Sequence, residues 1–251
     1  MESNNVDNRH KTFEDERDFR KDVLQMDDNQ IIVQKPLSQL IADQIKRRIW
    51  NKEIQFGERL LETELAETYD VSRSTIREAL KILEIEELVV SQARKGTYVA
   101  DFTDEAVSEI IELRTLIEVA AFTKAISRLK KEHLQELETL MEEMKLKADE
   151  KDWSELFDLD MKFHSYIVNL CGNSRIIKIY DSLQVQIRTF LIHLDKYYSS
   201  HQSFYDEHRD LLEALTSKNT EKVNRAVRDH IEYVEEKLLG VGQENNQVEE
   251  V

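Results

Sequence analysis

The chain has 251 residues, with 35 Lys/Arg against 51 Asp/Glu and a formal net charge of -16. That length accommodates two domains of ordinary size, its apolar runs are far too short to span a membrane, and the N-terminus lacks the apolar core of a secretory signal. A single cysteine, Cys171, excludes an internal disulfide and a thiolate metal cluster, so the expected setting is cytoplasmic, with no membrane attachment.

Five glycines and one proline argue against phosphate-binding loops and β-rich architectures. Charged residues at 34% with runs of Glu, Lys and Leu predict a mainly α protein. Residues 1–29 carry 5 Lys/Arg and 9 Asp/Glu without apolar periodicity, and read as a disordered acidic tail. Residues 30–100 carry 11 of each sign, so the acidity belongs to the tail and to residues 101–251, which carry 19 against 31. A neutral segment with locally clustered cations can still bind a polyanion, because placement sets the contact field.

Within 30–100, order is expected from Pro36, a residue suited to a helix's first turn. Leu37, Leu40, Ile41, Ile45 and Ile49 recur at helical spacing. "NKEIQFGERL" breaks that helix, and a short second one follows with Leu61, Leu65, Ala66 and Tyr69 on one face. Ser72, a good N-cap, opens a third helix that buries Ile76, Ala79, Leu80 and Leu83. Two β-prone runs, Leu88–Val90 and Thr97–Ala100, then flank a turn containing Gly96. Three helices followed by a hairpin make a winged helix-turn-helix. From residue 104 to 240 no strand signal occurs. Helices are expected at about 103–127, 131–149, 152–171, 174–197, 203–217 and 219–239, with the chain frayed from Gly240 and a hinge at Ala100–Thr103.

Arg73, Arg77 and Lys81 line the solvent face of the third helix. Alone, such a row is an ordinary solvated face. On the second helix of a helix-turn-helix it is a DNA contact. Arg73 or Arg77 can fork onto a guanine edge, Ser74 and Thr75 can bond a base or phosphate, and Arg94 and Lys95 sit at the wing tip. The stretches "GERLLETELAETYDVSRSTIREALKILEIEELV" and "RKGTYVA" resemble the DNA-binding domain of GntR-family bacterial transcription regulators. That resemblance assigns operator contacts to Arg73, Ser74, Thr75, Arg77 and Gly96. Phe56 stands where the family often has proline, and Thr63 where some members have arginine.

Three histidines of the second domain fall on apolar helical faces: His164, His208 and His230. Asp160, four residues before His164, lies on the same face among Leu156, Phe157 and Phe163. An ionised carboxylate facing a core is costly unless compensated. The four side chains therefore read either as ligands of one metal or as satisfied core polar groups, an Asp160–His164 hydrogen bond included. "LFDLDMKFHSYIVNLCGN" and "EHRDLLEALTSKNTEKVNRAVRDHI" resemble the helical FCD effector domain of the FadR-type subfamily. The resemblance implies a divalent metal on Asp160, His164, His208 and His230, with zinc first and nickel, manganese or iron admitted. It also implies a small carboxylate or sugar-acid effector, for which Arg114 in "ELRTLIEVAA" and Arg188 are candidate grips. Arg114 reads equally as an internal partner of Glu118. The expected protein is a homodimeric regulator on a pseudo-palindromic double-stranded operator, and not an enzyme. Two alternatives stand beside it: a metal-dependent enzyme fused to a DNA-binding module, and a regulator whose metal is purely structural.

Overall fold

The computed structural model describes residues 35–101, 103–194 and 200–246. The acidic tail at 1–29, Phe102 of the expected hinge, and the end of the helix expected at 174–197 lie outside the described residues.

Helix α1 spans Leu37–Trp50. Its period-3.6 stripe of Ile41, Ile45 and Ile49 is buried, while Leu37, one turn earlier, is exposed. The short helix α2 covers Glu62–Tyr69 and closes at Asp70, whose left-handed φ of 51° carries the chain into the helix-turn-helix turn. Helix α3 runs Arg73–Ile85. Ser72 caps it as expected, its hydroxyl accepting from the Thr75 amide at 3.2 Å. Ile76, Ala79, Leu80 and Leu83 are all buried beneath α1 and α2.

The wing has one strand more than the sequence suggests. Strands β2 (Val89–Gln92) and β3 (Gly96–Val99) form the hairpin, and a two-residue strand β1 (Arg59–Leu60) pairs antiparallel with β3, giving the order β1-β3-β2. Two residues carry no alternation to read, so β1 exists only through its register with Tyr98 and Thr97. Gly96 has φ of 110°, and a Cβ there would press on the Arg59 guanidinium at 3.1 Å. The positive φ favours glycine there, and a Cβ would also make the exposed Arg59 side chain give way slightly.

Six helices follow: α4 (Asp104–Ile126), α5 (Lys131–Glu150), α6 (Trp153–Leu170), α7 (Ser174–Leu194), α8 (His201–Thr216) and α9 (Thr220–Asn246). The last continues through Gly240 instead of fraying there. Gly240 and Gly242 both lie inside it, and each costs only about 1 kcal/mol against alanine, which a long helix absorbs. Between α6 and α7, Gly172 turns the chain at φ of 65°, where a side chain would collide with Arg128.

Helix α4 packs against α6, α7 and α9, while α5 packs on α6 and α8, and α8 on α9. The shared core is built from Phe122, Phe157, Phe163, Tyr180, Phe190 and Phe204, each essentially inaccessible to solvent. Each such aromatic contributes on the order of 1.5–3 kcal/mol of burial. None of the described helices is long and apolar enough to cross a membrane.

The winged segment and the helical bundle keep separate cores, but they touch. Phe56 packs against both. The Trp50 indole, ending α1, donates to Thr189 Oγ1 at 3.0 Å, and Gln186 donates to Glu87 at 2.8 Å.

Candidate functional site

Two places concentrate chemistry. The first is the exposed face of α3 with the wing. Arg73, Ser74 and Arg77 are exposed and Thr75 is half-buried, so the first two turns of α3 project this set outward. Ser72, Ser74 and Thr75 form a hydroxyl cluster, with Oγ–Oγ separations of 2.7 and 2.9 Å from Ser72. Arg94 takes φ of 64° in the wing turn, between the paired residues Gln92 and Gly96, and Lys95 follows it. Among the described residues, Arg59, Arg73, Lys81, Arg94 and Lys95 are exposed and form no ion pair. Their charge is therefore available to an external anion. Arg77 differs: its Nε donates to Glu62 Oε2 at 2.7 Å. Arg59 was missed by the sequence reading. Its guanidinium lies against Gly96 because β1 joins the sheet, and only that pairing brings residue 59 to the wing.

The second place is at the centre of the helical bundle. Asp160 and His164 on α6, His208 on α8 and His230 on α9 are all buried, and one donor atom from each lies within 4.8 Å of the others. The closest pairs are His208 Nε2 to Asp160 Oδ1 at 2.9 Å, His164 Nε2 to His230 Nε2 at 3.2 Å, and His164 Nε2 to Asp160 Oδ1 at 3.6 Å. Donors around one tetrahedral zinc at about 2.0–2.1 Å stand roughly 3.3 Å apart. Phe122, Phe163 and Phe204 pack against the imidazoles and keep the site apolar outside its polar centre.

Outer partners fix the rings. The Nδ1 of His164 faces Glu118 Oε2 at 2.5 Å, and a carboxylate only accepts, so this nitrogen carries the proton. The Nδ1 of His208 donates to the Phe204 carbonyl at 2.8 Å. Both rings thus turn Nε2 inward, the arrangement in which an outer hydrogen bond sets the tautomer and orients a ligand. Burial, reinforced by His208, His164 and Arg114, pushes the His230 pKa well below the usual imidazole value, so that ring is neutral at pH 7. In that orientation the converging atoms, ring nitrogens and a carboxylate oxygen, are of the types a divalent metal takes as ligands. A cation would satisfy them together.

Charge points the same way. Arg114 on α4 is buried, its Nε donating to Glu118 Oε1 at 2.7 Å, with Nη2 3.6 Å from Asp160 Oδ2. Burial alone would raise the Asp160 carboxyl, but Arg114, His164 and His208 outweigh it and hold its pKa far below the usual range. Glu118 is likewise penalised by burial, yet Arg114 and His164 keep it ionised. One buried guanidinium does not balance two buried carboxylates, so the remainder is met by protons on the imidazoles or by a bound cation.

Glu118 entered the sequence reading only as a partner of Arg114, and its contact with His164 crosses 46 positions. Glu207 was missed altogether. Burial raises its pKa to about 7, and its Oε2 lies 3.8 Å from His230 Nδ1, the outward nitrogen of that ring. Arg188 makes no hydrogen bond to the four-residue cluster, although Asp160 acts on it electrostatically. Its Nε donates to Asp158 at 2.7 Å and Nη2 to the Ser154 carbonyl at 3.0 Å, while the guanidinium carbon lies 5.5 Å from the ring centres of Trp50 and Phe157. It is thus at the contact between bundle and winged segment. His133 bonds the Lys130 amide at a helix start, a structural use.

A winged helix-turn-helix with free cations on its second helix, joined to a bundle with a buried donor cluster, defines a DNA-binding regulator carrying a second, helical domain. The chain belongs to the GntR family of bacterial regulatory proteins: the family's domain matches residues 37–99, and the FCD domain matches 109–233. The helix-turn-helix transcriptional regulator YdhC of Bacillus subtilis is 29% identical over 88% of this chain and 100% of its own length. The gluconate operon transcriptional repressor of Bacillus licheniformis is 28% identical over 79% of this chain and 83% of its own. A GntR transcriptional regulator from Rhodococcus sp. RHA1, of known crystal structure, superposes with a TM-score of 0.69 at 25% identity, covering 81% of this chain and 97% of that one.

Proposed function

We propose that this regulator binds its operator as a homodimer in the cytoplasm and that a small organic acid, held beside a divalent metal on Asp160, His164, His208 and His230, changes its affinity for DNA. The observation that carries the sensing role is the buried cluster of one carboxylate and three imidazoles, whose ligand atoms converge within 4.8 Å of one another. A divalent ion there would attract the carboxylate of a small acid. Arg114 is the grip for that carboxylate, since its Nη2 is buried without a hydrogen-bond partner among the described residues. Three imidazoles and one carboxylate favour zinc, with nickel, manganese or iron also compatible. The metal supplies Lewis-acid attraction for the acid; the chain's residues orient and desolvate it. The name of the gluconate operon repressor supports the sugar-acid class.

On the DNA side, Arg73, Ser74, Thr75 and Arg77 meet the major groove, and Arg94, Lys95 and Gly96 bring the wing to the backbone. Leu113 and Leu116 leave apolar surface on α4 for a second copy. Arg188 links the domains: an acid that drew its unpartnered Nη1 inward would loosen its contact with Trp50 and thereby shift the winged segment.

The enzyme alternative would need a general base beside the four ligands; among the described residues, Glu118 is engaged by Arg114 and His164. Glu207 lies against the outward nitrogen of His230.

Two measurements bear on this reading. In a thermal-shift screen of small carboxylates and sugar acids, at least one is expected to stabilise the zinc-loaded protein and not the chelator-stripped protein. Stabilisation that ignores the metal would count against the shared site. Glu118→Gln removes the charge behind His164 and is expected to weaken metal affinity about 10- to 100-fold, read by competition with a chromophoric chelator. An unchanged affinity would remove Glu118 from the metal's support.

A further inference from the structure

We infer that Glu62 is a positioning residue for base reading: it holds Arg77 by one edge so that the other edge can recognise a single base pair. The inference rests on the DNA-binding role of α3 proposed above. Glu62 opens α2 and Arg77 lies in the second turn of α3, fifteen positions later, so their ion pair spans the two helices of the helix-turn-helix. The bond is made by Nε, at 2.7 Å to Glu62 Oε2. A guanidinium bound at Nε keeps its two terminal nitrogens free, and those form the fork that matches guanine O6 and N7. Among the described residues, the other cations of this face, Arg73 and Lys81, have no acidic partner. A free cation suits a phosphate, where charge matters more than angle, whereas a base contact demands a fixed plane. Placing a carboxylate near DNA weakens non-specific attraction, so an acid at this position is useful only if orientation is worth more than the lost charge.

The two possible roles of Glu62 have opposite signatures, which makes the test direct. Duplexes selected from a random-sequence library by the wild-type protein supply the binding site. Arg77→Ala then identifies the base pair that Arg77 reads, as the position where discrimination collapses. Glu62→Ala is expected to lose about tenfold discrimination at that same position and to bind unselected duplex DNA at least as tightly as wild type. Glu62→Gln, whose amide oxygen still accepts from Nε, should retain part of the discrimination. If Glu62→Ala keeps full discrimination at that base pair, Glu62 merely screens charge and the inference fails. Loss spread evenly over all positions points to a disturbed fold and overturns it equally. Discrimination unaltered by Arg77→Ala, or no sequence enriched by the wild type, removes the α3 reading itself and this inference with it.

Discussion

Arg77→Ala is expected to weaken operator binding by one to two orders of magnitude while the protein keeps its fold. One bidentate arginine–guanine contact is worth about 1–3 kcal/mol, and Arg77 is exposed, outside both apolar cores. Its ion pair with Glu62 is largely solvated and contributes little to stability, so thermal melting should scarcely move. Binding measured at several salt concentrations separates the roles on this face. Loss of a phosphate contact such as Lys81 should lower the salt slope and act uniformly across sequences, whereas loss of Arg77 should act on one base pair. Unchanged operator affinity in Arg77→Ala would remove α3 as the reading helix.

The second large effect concerns the buried cluster. Protein purified without a chelator or a histidine tag is expected to hold one divalent ion per chain, and His208→Ala to hold far less. An ion present at a thousand times its dissociation constant adds about 4 kcal/mol to folding stability. For a domain of this size that is on the order of 10 °C in melting temperature. Chelation should therefore lower the melting point of the wild type by roughly that much and leave His208→Ala unmoved. Absence of metal from the wild type, or equal occupancy in His208→Ala, would contradict the metal reading.

Much of this architecture is legible in the sequence, for a physical reason. Helices of 13 residues or more repeat their apolar stripe often enough that period, caps and breaks agree. Asp160 and His164 could be paired by eye because four residues bring side chains to one face of a helix. His208 and His230 were legible because each interrupts an apolar stripe. Contacts between helices are different. The bonds Glu118–His164 and Glu62–Arg77, and the Trp50–Thr189 contact across 139 positions, depend on how rigid elements dock, which no local period encodes. Strand β1 was hidden for a related reason: a two-residue strand has no pattern of its own, and the partner that defines it lies nearly forty positions away. Arg188 shows the same limit. Its sequence neighbours mark a buried face of α7, but only packing against Trp50 places it between the two domains.

The account's central claim is that a small acid at the metal-loaded cluster alters DNA affinity. The most direct measurement is the affinity of zinc-loaded protein for its selected operator duplex, titrated with gluconate and a panel of small carboxylates, for the wild type and His208→Ala side by side. Couplings between sites commonly amount to about 5- to 150-fold. At least one acid is expected to shift the wild-type affinity by about tenfold or more and to leave His208→Ala unaffected. A wild type indifferent to every acid in the panel, or an equal shift in His208→Ala, would contradict the account.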